Sequence, residues 1–171
     1  MGLATQLDYR HRSPNLLQRV VQKFASTRFG AWTFSKLLRH VDDAVTKVTR
    51  GRHSAPGLLA GLHVLDLTTT GRKSGVRRTT HLISVPLLDT LALLGTNFGQ
   101  KSTPAWVLNL EAEPRASVRF RNKDVDVVAR PATESERATV MENSAGIYGG
   151  YLKYQQRISG RTVRVFVLEP A

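Results

Sequence analysis

Residues 62–97 read LHVLDLTTTGRKSGVRRTTHLISVPLLDTLALLGTN, three β-rich runs in close succession. Residues 62–69, 79–87 and 91–97 are dominated by Leu, Val, Ile and Thr at a period near two, which predicts strands. Glycines at positions 71 and 75 allow a tight reversal between the first two runs. Working outward, residues 116–120, 125–129 and 163–168 carry the same signal, and six strands in about 110 residues predict a barrel.

Two short helices interrupt the later strands. One is expected to start at Thr103-Pro104, with Thr103 as N-cap and Pro104 in the first helical position. The other starts at Thr133, which stands at capping-box spacing from Glu136. Upstream, Leu16, Leu17, Val20, Val21 and Phe24, then Phe34, Leu37, Leu38, Val41, Val45 and Val48, recur at helical spacing among Arg and Lys. This predicts two amphipathic helices joined around Gly30 within residues 15–60, the last ten of which (GRHSAPGLLA, 51–60) form a connector. Residues 1–14 are polar and aperiodic, so they are expected to form a loose arm, with 15–171 making one structural domain and 61–171 its barrel.

At 171 residues, one core suffices. Cysteine is absent, which excludes disulfides, thiolate chemistry and Cys-ligated metal. His11, His40, His53, His63 and His81 never fall at i, i+4 spacing, so no metal site is expected. No apolar run approaches the roughly 18 residues of a membrane span, and the expectation is a soluble, unexported, cytoplasmic protein. Gln6 stands where the myristoylation pattern needs Ser or Thr. The net charge of +12 points to anionic partners: nucleic acid, an acidic membrane face, or a phosphorylated or polycarboxylate ligand. Ten of the 25 basic residues precede Pro56, and a second cluster, Arg72, Lys73, Arg77 and Arg78, sits in one glycine-flanked turn.

Three segments carry chemistry. In Thr68–Arg78 (TTTGRKSGVRR), backbone N–H groups and cations converge on one spot, which suits an anion; the bland alternative is a solvated hairpin tip. The order is neither that of a P-loop nor of the G-x-G-x-x-G turn. In residues 95–110 (GTNFGQKSTPAWVLNL), a glycine-bearing loop enters a helix whose first-turn N–H donors lie beside Trp106. Donors beside a flat aromatic suit a planar heterocycle, whereas a plain core tryptophan is the alternative. In residues 148–157 (YGGYLKYQQR), Tyr148, Tyr151 and Tyr154 repeat every third residue, so three phenols line either a pocket or an ordinary tyrosine stripe.

Together, T-T-T-G-R-K-S-G, G-T-N-F-G-Q-x-x-x-P-A-W-x-x-N-L, Y-x-x-Y-x-x-Y-Q and the closing V-x-V-L-E-P resemble the deazaflavin-dependent nitroreductase and quinone reductase family, which uses coenzyme F420. The likeness spans residues 60–171 and implies an α+β fold, a split β-barrel related to FMN-binding barrels. It assigns Arg72, Lys73 and Arg78 to the coenzyme's phosphate and glutamate tail, and Thr96, Pro104, Ala105 and Trp106 to its ring. Tyr148, Tyr151 and Tyr154 would close the pocket over ring and substrate, with Tyr151 at the position of the family's proposed proton donor. Asn97 stands in the ring-side loop where some members have a lysine, so one cationic contact is lost there.

F420 brings a phosphodiester and several carboxylates, which a cluster of arginines and a lysine complements. Its reduced form is a two-electron hydride donor, so the implied activity is reduction of a small organic acceptor: a quinone, an enone or another activated alkene, with nitro compounds incidental. The runner-up is a non-catalytic F420 carrier. An FMN enzyme and a nucleic-acid binder are further alternatives, the latter disfavoured because no RNP-like or helix-turn-helix signature accompanies the charge. The helical pair reads as a cap on the barrel, or as a contact with an acidic membrane face. Monomer and homodimer both stay open.

Overall fold

The computed structural model describes residues 1–9, 27 and 64–171. Apart from residue 27, the helical pair and connector expected over 15–60 lie outside those residues. What is described begins with a short helix, α1 (Leu3–Gln6), followed by β1 (Val64–Thr70), β2 (Arg77–Leu87) and β3 (Thr90–Leu94). A 3-10 turn (Asn97–Gly99) leads to α2 (Ala105–Ala112), β4 (Arg115–Phe120) and β5 (Lys123–Pro131). Two helices, α3 (Glu134–Ile147) and α4 (Gly150–Arg157), precede the last strand, β6 (Val165–Pro170).

The strands close into an antiparallel barrel in the order β1-β2-β3-β6-β5-β4, with β1 pairing back onto β4. The expected barrel and all six expected strands are therefore present, with ends shifted by a few residues. In β1 burial alternates, so that Leu65, Leu67 and Thr69 point inward and their neighbours face out, as the period of two requires. The four residues of β3 from Leu91 to Leu94 are buried on both faces. Leu91 and Leu93 join the barrel interior, whereas Ala92 and Leu94 join an outer cluster with residues of α3 and α4.

Residues 1–9 correct the expectation of a loose arm. Leu3 and Leu7 are fully buried and, with Tyr9, join the barrel's interior cluster. Asp89, in the β2–β3 turn, accepts the Gly2 N–H at 2.7 Å and the Thr5 hydroxyl at 2.7 Å. A Cβ on Gly2 would come within 2.1 Å of the Asp89 carbonyl oxygen, so only glycine permits this approach. The segment escapes a sequence reading because two apolar residues make no period, and their partners lie more than 80 positions away.

The capping box at the start of α3 forms as expected: the Glu136 N–H donates to Thr133 Oγ1, and the Thr133 N–H donates to the Glu136 carboxylate. Arg130 of β5 then grips Glu136 with two bonds of 2.7 Å and reaches Glu169 of β6 through Nε, tying α3 to the barrel.

Candidate active site

The basic turn is a compact hairpin end. Gly71 donates its N–H to Val76 at 2.9 Å, and Gly75 closes back onto the Gly71 carbonyl with φ at +67°. Arg72, Lys73, Arg77 and Arg78 are exposed. Arg77 reaches across to Ser117 Oγ at 2.8 Å, while Arg72, Lys73 and Arg78 form no ion pair among the described residues. The turn is anchored by the buried side chain of Asn109 on α2. Its Oδ1 accepts the Arg72 N–H at 3.1 Å, and its Nδ2 donates to Thr69 Oγ1 at 3.0 Å.

Asn109 thereby joins the turn to the helix entered from the ring-side loop. That helix begins one residue later than expected: Pro104 is the N-cap, with ψ at 145°, and no side chain caps it. Pro104 is itself extended, so the helix starts after it and Thr103 stands one position outside the cap. The first-turn N–H groups of Ala105, Trp106 and Val107 therefore have no intrahelical partner and no cap, at the positive end of the helix dipole. Ala105 is exposed there, whereas Pro104 just before it and Thr96 in the preceding loop are buried. Trp106 departs from the picture of an open aromatic platform: its indole is buried in the barrel interior, 6.1 Å edge-on to Phe166. What Trp106 can offer a ligand is its main-chain N–H.

In the loop itself Asn97 and Phe98 both have positive φ, +47° and +54°, and Gly99 follows at +78°. Asn97 Nδ2 is turned inward, donating to Ser102 O at 3.0 Å and Ser102 Oγ at 3.1 Å. Gly99 packs so closely on α4 that an added Cβ would lie 3.3 Å from Tyr154 Cα and from Arg157 Cδ. Phe98 is 40% exposed, and its ring stands edge-on to Tyr154 at 6.2 Å.

The three tyrosines do come together. Tyr148 lies just before α4, at the end of α3, yet its hydroxyl meets that of Tyr154 at 3.0 Å. Rings 148 and 151 pack edge to face at 5.6 Å. Tyr151 is buried and donates to the Ile83 carbonyl at 3.2 Å. Burial, followed by the neighbouring phenols, pushes the Tyr148 and Tyr151 hydroxyls well above the usual phenol range, so both stay protonated at any physiological pH. Arg157 lies over the Tyr154 ring with its guanidinium carbon 5.9 Å from the centroid.

Basic turn, α2, ring-side loop and tyrosine helix thus form one chain of contacts, with Asn109 and Gly99 as its two joints. Sequence reasoning missed Asn109, although the W-x-x-N spacing placed it on α2, one turn from the helix start. It gave no role to Arg157, although that residue closes the YGGYLKYQQR run.

The barrel carries exposed cations on one turn, uncapped N–H donors at the start of α2 and three buried phenols on and beside α4. The model of the F420H2-dependent quinone reductase family matches residues 38–170, and the chain belongs to that family. It is an F420-dependent reductase of split-barrel fold, and coenzyme F420 is its cofactor. An F420H2-dependent quinone reductase of Mycobacterium tuberculosis is 33% identical over 141 residues, covering 78% of this chain and 89% of that protein. The solved structure of an F420H2-dependent reductase superposes with a TM-score of 0.57 at 30% identity, over 63% of this chain and 94% of the other. A structure described as a domain-swapped dimer gives 0.59 at 27% identity, over 81% and 98%.

The residues fit the coenzyme. Exposed cations at the turn complement a phosphodiester and carboxylates, and the uncapped N–H groups of α2 complement ring carbonyls. No helix among the described residues is long and apolar enough to cross a membrane.

Proposed function

We propose that the protein reduces quinones and enones, taking other activated alkenes as well and nitro compounds only incidentally. The reading is carried by the placement of the Tyr148–Tyr151–Tyr154 cluster against the loop that leads into α2: neutral phenols stand next to the segment assigned to the coenzyme ring. Bound F420, when reduced, supplies the hydride. Arg72, Lys73 and Arg78 hold its anionic tail, while Thr96, Asn97, Pro104 and the N–H groups of Ala105 and Trp106 face its ring. Tyr148 and Tyr154 shape the acceptor side through their mutual hydrogen bond. Tyr151 exchanges its bond to the Ile83 carbonyl for one to the acceptor oxygen, which gains negative charge as hydride arrives. A phenol with a raised pKa acts there mainly as a hydrogen-bond donor.

The quinone reductase of M. tuberculosis supports a quinone as acceptor. The relative described as a domain-swapped dimer supports a homodimer in solution. Residues 15–60, whose sequence carries the amphipathic basic pattern, are the part of the chain that would meet an acidic membrane face. Anaerobic oxidation of reduced F420 by menadione and by cyclohexenone tests the reading, and acceptor-dependent turnover is expected with both. Tight F420 binding without turnover on either would instead make the protein a coenzyme carrier.

A further inference from the structure

The loop from Gly95 to Ser102 is held from within by a residue far along the chain. Arg161, between α4 and β6, donates from Nη1 to the Gly95 carbonyl at 2.9 Å and from Nη2 to those of Thr96 and Gln100 at 3.0 Å each. Its Nε donates to the Lys101 carbonyl at 3.1 Å. One guanidinium therefore satisfies four main-chain carbonyls that flank the left-handed run at Asn97, Phe98 and Gly99. No carboxylate pairs with it among the described residues.

Left-handed backbone at a bulky residue such as Phe98 is unfavourable and persists only where surroundings impose it. Here the surroundings are Arg161 on one side and the Gly99 contact with α4 on the other. The result is an exposed phenyl ring set edge-on to Tyr154, with Thr96 buried behind it.

We propose that Arg161 is the positioning residue of this reductase's ring-side loop, fixing Thr96, Asn97 and Phe98 in the arrangement that binding requires. The proposal rests on the assignment of that loop to the coenzyme ring. Lysine keeps the charge but lacks the planar fork of five donors, so it can serve only part of the carbonyl set.

The test compares wild type, R161K and R161A in three measurements on the full chain. These are amide hydrogen exchange across residues 96–102, F420 affinity by fluorescence titration, and the kcat and KM for menadione. R161K is expected to speed exchange of the Gly99 and Gln100 amides at least tenfold. It should also raise the F420 Kd or the acceptor KM at least tenfold, leave kcat within about threefold, and keep the melting temperature close to wild type. R161A should move the same quantities further in the same direction. Wild-type exchange in R161A would overturn the proposal, as would faster exchange with unchanged Kd and KM. If R161A fails to fold, R161K alone decides. Failure of the wild type to bind F420 would contradict the site assignment itself, and is told apart because it involves no variant.

Discussion

Asn109 and Arg72 are bound to each other across 37 positions of sequence, the buried carboxamide oxygen of one accepting the backbone N–H of the other at 3.1 Å. This bond sets the basic turn against α2. Replacing Asn109 by Ala strands the Arg72 N–H and the Thr69 hydroxyl, and is expected to cost about 1–3 kcal/mol of stability in denaturant titration. F420 affinity should fall as well. Undiminished affinity would show that the turn holds its place without this link.

Tyr151→Phe removes one hydroxyl and keeps the ring packed against Tyr148. A lost oxyanion or acid donor should lower kcat by roughly tenfold to a thousandfold, while F420 affinity moves by less than about threefold. Steady-state rates with a quinone and an enone, alongside a binding titration, separate the two effects. Full activity with both acceptors would mean that the proton comes from elsewhere.

The N-terminal segment behaves as part of the core, so its truncation should be felt. Leu7 is fully buried, and Leu7→Ala is expected to destabilise the fold by about 2–5 kcal/mol in a chemical melt. A change within a few tenths would mean that residues 1–9 detach in solution.

Acid should loosen the α3 anchor. Arg130 first, then the Thr133 N–H, lowers the Glu136 carboxyl from 4.5 to about 2. A carboxyl depressed by folding contributes stability that is complete above its unfolded value and is lost as pH falls through its folded one. The melting temperature of wild type minus that of Glu136→Gln should therefore be constant above pH 5 and shrink between about 4.5 and 2. A pH-independent difference would show that the carboxylate charge adds nothing.

Much of this architecture was legible because its signals are local. The period-two runs gave six strands, and Thr133 with Glu136 gave a helix start, since each needs only neighbours in sequence. Trp106 was half legible: its place on a helix was readable, but not that the indole turns into the barrel beside Phe166. Leu3 and Leu7 read as an arm because the turn at Asp89 that receives them is invisible without the fold. Arg161 was unreadable for a similar reason, as its partners are four main-chain carbonyls and no motif marks a carbonyl.

The claim that this barrel holds a deazaflavin through its anionic tail is tested most directly by titrating the purified protein with F420 and with FMN in parallel. Charge-assisted bonds to Lys73 and Arg78 at about 1.5–3 kcal/mol each predict F420 binding tighter by about a hundredfold or more, with Lys73→Ala and Arg78→Ala each giving up about tenfold or more of that preference. Equal affinity for the two coenzymes, or a preference for FMN, would contradict it.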